Sequence, residues 1–273
     1  MDKKIRIVTL IEDTPGERES ISEHGLSFYV ETPLHKLMVD AGPSESTLVN
    51  AEKFGINLQE VDTLILSHGH YDHSGGIIPF SRINGKAAVL LQSSALGDYY
   101  NGERYIGIDK RIADLPNAVI CNGDKKIDNE LSLFTNISGR RLWPESNLIL
   151  SEEKNGVRIQ DSFMHEQCLV INACKKTILL SGCAHNGILN ILDKFNEIYN
   201  RYPDCVFSGF HMMKKTPYEQ REIETIQAIA KELKDTPTVY YSGHCTGIPA
   251  FDIMKEIMED KLVPIHSGSE FII

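Results

Sequence analysis

Apolar and polar positions fall into short blocks along this chain, and the blocks change character towards its C-terminal half. The runs IRIVTLI, LSFYVET, KLMVD and TLILS predict strands, as does AAVLLQ after the Gly85-Lys86 turn. NLILS, CLVINA, TILLSG, DCVFSG and TVYYSG predict further strands. Helical spacing appears in ILNILDKFNEIYNRY, where Ile188, Ile191, Leu192, Phe195 and Ile198 share a face, and again in EQREIETIQAIAKELKD and PAFDIMKEIMED. Strands thus come first in antiparallel-looking groups, and strand and helix then alternate. Two packed sheets with helices outside both fit that order, which is an α/β class. The whole chain, 1–273, reads as one domain with an irregular insertion around 95–151. That stretch is rich in turn residues, charge and aromatics. It is either a substrate-side loop or an ordinary surface excursion.

The block VDTLIL, read as a buried strand, runs into SHGHYDHSGG. His68 and His70, two apart in an extended chain, point to the same side. Asp72 and His73 follow where the chain must turn before Gly75 and Gly76. Imidazole and carboxylate together suit zinc, iron or manganese, so this segment predicts a metal site. One loop cannot supply every ligand of a dinuclear centre. His185 and His244 are the best further candidates, because each follows an apolar strand and precedes a helix-like segment. His211 closes another strand-turn unit and is followed by Lys214 and Lys215, which suit an anionic group beside the metals. It reads as substrate-facing, with ligand and structural roles as alternatives. Asp40 is expected to accept a hydrogen bond from a ligand imidazole. His24, His35 and His266 read as structural. Arg140, Arg141 and Trp143 suit a phosphate and a flat ring, but nothing in the sequence aims them at the metal.

Charge and composition narrow the partners. The formal net charge of −10 disfavours nucleic acid and anionic membranes as partners. No apolar stretch approaches the ~20 residues of a membrane span, and the first residues do not form a secretory signal. Six cysteines without such a signal favour reduced thiols and a cytoplasmic protein.

The pattern H-x-H-x-D-H resembles the signature of the metallo-β-lactamase-fold hydrolases. LMVDAGPS, LLSGCAHNG, SGFHMMKK and SGHCTG fit the same superfamily in order. EHGLSFYVET, GCAHNGILN and the late HCTG look like its branch of dihydropterin ribofuranosyl-aminobenzene phosphate synthases. The resemblance implies a four-layer αβ/βα sandwich. It also implies two divalent metals, zinc first and iron or manganese as alternatives. One would be held by His68, His70 and His185, the other by Asp72, His73 and His244. Many members carry Thr-Gly-Asp, with a metal-bridging aspartate, where this chain has Ser181-Gly182-Cys183. Cys183 could ligate as a thiolate or stand by, or His185 could take over part of the bridging. His165 could replace a ligand that other members place before the CLVI-type strand.

The function expected from these residues is hydrolysis of a small anionic phosphoester or lactone by metal-activated water, with Asp72 and His211 as catalytic groups. No G-x-S-x-G elbow offers a rival nucleophile. The alternatives are a pterin ribofuranosyl-aminobenzene phosphate synthase-like enzyme, a non-catalytic pterin- or folate-binding protein, and a di-iron redox protein.

Overall fold

Strand Thr63–Ile65 shows how the layers form: successive side chains alternate between two cores. Ile65 packs with residues of both large sheets, including Phe28, Leu37, Leu169, Ile178 and Phe207. Leu64 and Leu66 pack the opposite way, with Leu48, Ala51, Ile77 and Phe80. Those four lie on helices Ser46–Lys53 and Ile77–Ile83. The computed structural model describes residues 4–16 and 18–273.

The first sheet has the spatial order Glu270–Ile272, Arg6–Ile11, Ser27–Glu31, Lys36–Val39, Thr63–Ile65, Ala88–Gln92, Ala118–Cys121. Its first three pairings are antiparallel and its last three parallel. The second sheet repeats this arrangement. Lys125–Lys126, Leu131–Phe134, Cys168–Ala173 and Lys176–Leu180 pair antiparallel, then Cys205–Phe207, Val239–Ser242 and Leu262–Pro264 continue in parallel. Helices Ile188–Tyr199, Gln220–Asp235 and Ile248–Met258 cover its outer face through Leu192, Phe195, Ile229, Leu233 and Met254. Each fully buried aliphatic side chain of these cores contributes about 1.5–3 kcal/mol. The architecture is the four-layer αβ/βα sandwich that the sequence resemblance implied.

Local departures from the sequence reading are instructive. The first half alternates strand and helix as the second does; its helices have short apolar faces that the strand-like blocks mask. NLILS splits at Leu150, with a 3₁₀ turn over Glu145–Ile149 and a strand over Leu150–Lys154. Within 95–151, Ala118–Cys121 and Leu131–Phe134 extend the two large sheets. Asp98–Asn101 and Arg104–Tyr105 join Leu150–Lys154 and Val157–Gln160 in a small third sheet. None of the described helices is long and apolar enough to cross a membrane.

Candidate metal centre

Parallel strands of both sheets deliver their C-terminal ends to one place. Asp40 follows Lys36–Val39, and Ser67 to His73 follow Thr63–Ile65. Cys183 and His185 follow Lys176–Leu180, His211 follows Cys205–Phe207, and His244 follows Val239–Ser242. Asp40, Ala184, His211 and His244 all have φ between 48° and 59°. Left-handed non-glycine residues cost about 1–3 kcal/mol each and cluster where function needs a particular aim. Gly182 lets the two sheets approach closely here, since a Cβ on it would lie 2.1 Å from Ser67 Oγ. Asp72 and His73 lie on a single helical turn, Tyr71–Ser74, rather than in an open bend.

Hydrogen bonds at the outer ring nitrogens set the inner ones. Asp40 is fully buried and accepts from Ser67 N at 2.7 Å, Ser67 Oγ at 2.7 Å and His73 Nδ1 at 2.6 Å. Because the Ser67 hydroxyl donates to Asp40, its oxygen accepts from His68 Nδ1 at 2.8 Å. His185 Nδ1 lies 3.0 Å from Asn147 Oδ1, and His244 Nδ1 lies 2.5 Å from Asp13 Oδ1. These partners assign the proton to Nδ1 in all four rings. Four Nε2 lone pairs therefore point inward.

The inward atoms form two adjacent groups. His68, His70 and His185 each place a ligand atom within 4.8 Å of the others. His68 Nε2 and His185 Nε2 are 3.2 Å apart. In the second group, His73 Nε2 lies 3.3 Å from His244 Nε2 and 3.8 Å from Asp72 Oδ2, and His244 Nε2 lies 3.5 Å from that oxygen. Tetrahedral zinc with bonds of about 2.0–2.1 Å separates its ligands by about 3.4 Å. Facing lone pairs at that spacing repel unless a cation or a proton lies between them. The buried Nε2 of His70 has no hydrogen-bond partner. The donor set thus fits two metal positions, and Cys183 lies between them. Its sulfur is 3.1 Å from His73 Nε2, and it groups separately with His68 and His73, with His185 and His211, and with His244 and Cys245.

Electrostatics agree with that reading at the first group. Burial, then the neighbouring imidazoles, hold His68 and His185 well below the usual histidine range. Burial, reinforced by His165, brings His70 down to about 3. These rings are neutral at physiological pH, the form that ligates. Burial opposes charge on Asp72, but His73 and His244 outweigh it and keep the carboxyl below its ordinary range. Burial likewise disfavours a charged His244, yet Cys245, Asp13 and Asp72 together raise its pKa. Burial and Cys245 push the Cys183 thiol well up, so a thiolate there requires an adjacent cation.

All six residues expected as ligands meet here, and His211 joins them with its ring centroid 4.1 Å from that of His185. His211 Nδ1 is buried without a partner. His165 has both nitrogens engaged, Nδ1 accepting from Gly69 N at 2.9 Å and Nε2 facing Asp161 at 3.2 Å. It braces the motif loop, and neither nitrogen is free to ligate. His24, read as structural, instead lies at the site mouth, 2.8 Å from Asp13 and 3.7 Å from Asp72. Lys214 is bound by both oxygens of Glu222 and is no free anion partner. Sequence reasoning missed Asp13, Asn147 and Glu166. Glu166 accepts from His185 N at 2.6 Å and Asn186 N at 3.0 Å, fixing the turn that aims His185. The Asp13 and Glu166 signals lay in acidic residues next to predicted strand ends.

A family model described as the metallo-beta-lactamase superfamily matches residues 23–123, which include the whole histidine motif. The solved structure of Tm1679, described as a metal-dependent hydrolase of the beta-lactamase superfamily, is 32% identical and covers 98% of each chain, with a TM-score of 0.81. This chain belongs to the metallo-β-lactamase superfamily. Within the superfamily it is 27% identical to the 7,8-dihydropterin-6-methyl-4-(beta-D-ribofuranosyl)-aminobenzene-5'-phosphate synthase of Methanocaldococcus jannaschii, over 97% of this chain and 95% of that one. It is 28% identical to the uncharacterized protein MJ0448 of the same organism, over 92% and 94% of the two chains. The likeness to the synthase along nearly both full lengths supports the branch that GCAHNGILN and HCTG suggested.

Proposed function

We propose that this protein is a metal-dependent hydrolase that cleaves a phosphoester or lactone bond in a small anionic substrate. The observation that carries the reading is the convergence of inward lone pairs into two groups at tetrahedral spacing. His68, His70 and His185 would hold one metal, and Asp72, His73 and His244 the other. Cys183 would stand between them in place of a bridging aspartate, and its softness favours zinc over manganese. Bound metal supplies Lewis acidity and brings the pKa of water down to about 7. Asp40, Asp13 and Asn147 keep the ligand imidazoles in the tautomer that ligates. Asp72 adds negative charge at the second position. His211, partnerless at Nδ1, is placed to donate a proton to the departing oxygen. The chain works as one domain over 1–273, with parts of 95–151 on the substrate side. Six unpaired cysteines suit a reducing, cytoplasmic setting.

A synthase-like reaction on a phosphorylated pterin precursor is the second reading, favoured by the near full-length likeness to the archaeal synthase. The test is turnover by metal-loaded protein on a panel of phosphoesters and lactones. Hydrolysis lost on chelation and restored by zinc supports the first reading. No hydrolysis of any panel member by protein with both metals bound contradicts it. In cobalt-loaded protein a sulfur-to-metal absorption band lost in Cys183→Ala supports thiolate ligation, and its absence from the fully loaded wild type excludes it.

A further inference from the structure

The adjacent arginines Arg140 and Arg141 are indistinguishable in the sequence, but the fold gives them opposite circumstances. Arg141 is neutralised by Asp193 at 2.8 Å and by Glu232. Arg140 bonds only neutral acceptors, namely Gly139 O at 2.8 Å, Asn186 Oδ1 at 3.0 Å and Ser162 O at 3.0 Å. Its guanidinium lies 5.4 Å from the Trp143 ring centre. Trp143 donates its indole N–H to the backbone oxygen of His185 at 2.7 Å, and Asn186 is the next residue along the chain. Arg140 is therefore linked through Trp143 to the backbone of His185, in the first group.

A second guanidinium flanks the same small aromatic cluster. Arg104 lies 4.7 Å from the ring centre of Tyr71, the residue that follows His70. Tyr71 and Trp143 both pack against one small cluster of Tyr99, Ile106, Leu150 and Phe163. Phe163 in turn stacks on His185, with centroids 4.7 Å apart and planes 2° from parallel. Among the described residues Arg82, Arg104, Arg140 and Arg201 form no ion pair with a carboxylate, whereas Arg6, Arg18, Arg111, Arg141, Arg158 and Arg221 do, and of the four only Arg104 and Arg140 lie over an aromatic ring. In a chain of net charge −10, two unneutralised arginines on aromatic supports beside one ligand group mark a place for an anion. Guanidinium matches phosphate oxygens in geometry and charge, and a supporting ring limits the freedom lost on binding.

We propose that Arg104 and Arg140 form a phosphate-monoester subsite beside the first ligand group and select substrates that carry this dianion. The subsite rests on the hydrolase reading for its purpose, but binding tests it separately. The probe is phenyl phosphate, titrated calorimetrically into metal-loaded wild type, Arg104→Gln, Arg140→Gln, the double variant and Arg141→Gln as the control. Each single subsite variant should bind about tenfold or more weakly and the double variant about a hundredfold or more weakly, the range for lost charge-assisted hydrogen bonds. Arg141→Gln should bind like wild type, and all variants should keep their metal content and melting temperature. Wild-type affinity in the double variant, or no phenyl phosphate binding by fully loaded wild type, overturns the subsite. Arginine-dependent binding without hydrolysis of any phosphoester or lactone sinks the hydrolase reading and leaves the subsite standing. Arginine-independent hydrolysis of phosphoesters does the reverse.

Discussion

The two sheets contribute to the site by different routes. The first concentrates four ligand candidates in His68 to His73, on one loop and one helical turn, and steadies them with shared supports, Asp40 on Ser67 and His73 and His165 on Gly69. The second distributes Cys183, His185, His211 and His244 over three strand ends and steadies them with separate groups, Glu166, Asn147 and Asp13. Three of its turns carry left-handed residues, Ala184, His211 and His244. A dense motif can be aimed by a few supports that its members share. A dispersed set needs the fold to aim each member, and backbone strain is part of how it does so. The first half should therefore fail as a unit when its support is lost, and the second half residue by residue.

The largest effect that sharpens this contrast is expected at His211. His211→Ala should lower turnover by about 10²–10⁴-fold, the range for lost acid–base help, while metal content and melting temperature hold. A fall in bound metal would make His211 a ligand, and unchanged turnover would remove it from the chemistry.

Next comes Asp40→Asn, which keeps the shape but presents an N–H where His73 or Ser67 donates. Metal affinity should drop about 10–100-fold, and it should drop at both positions, because Asp40 fixes His73 directly and His68 through Ser67. Competition titration with a chromophoric chelator measures this. Loss confined to one position would contradict the shared support.

The smallest effect concerns Asp13 in metal-free protein. Burial opposes its charge, but hydrogen bonds with His24 and His244 lower its pKa, and the bond to Asp13 raises that of His24 against burial. The depressed carboxyl contributes stability that is present above its ordinary value of about 3.9 and lost as pH falls through the folded value. The raised imidazole contributes stability that is present below about 6.5 and lost as pH rises through the folded value. The pair therefore stabilises most between those limits. Asp13→Asn should lower the melting temperature most near pH 5 and progressively less as pH rises through the raised values of His24 and then of His244, and a uniform loss across pH would refute the ionic account.

The same contrast explains what could be read from sequence. The first half of the site was legible because its ligand candidates are contiguous and end a strongly apolar strand. His185 and His244 were legible only by position, as polar residues just after apolar runs. The place of His24 beside Asp72 and Asp13 was not legible, because it depends on a loop with no periodicity. His165 and Lys214 were ambiguous because only the folded structure shows that Gly69, Asp161 and Glu222 already occupy their polar atoms. Two sheets with helices outside them fitted the order of elements and the four layers came from the family resemblance, but the short helices Ser46–Lys53 and Ile77–Ile83 were hidden by apolar faces too brief to show a period.

Metal stoichiometry of paired variants tests the central claim most directly. Elemental analysis after zinc loading and exhaustive dialysis should find about two equivalents per wild-type chain. His68→Ala/His70→Ala should keep about one, held by Asp72, His73 and His244, and His73→Ala/His244→Ala should keep about one at the other position. Two equivalents retained in His68→Ala/His70→Ala would contradict the two-position account.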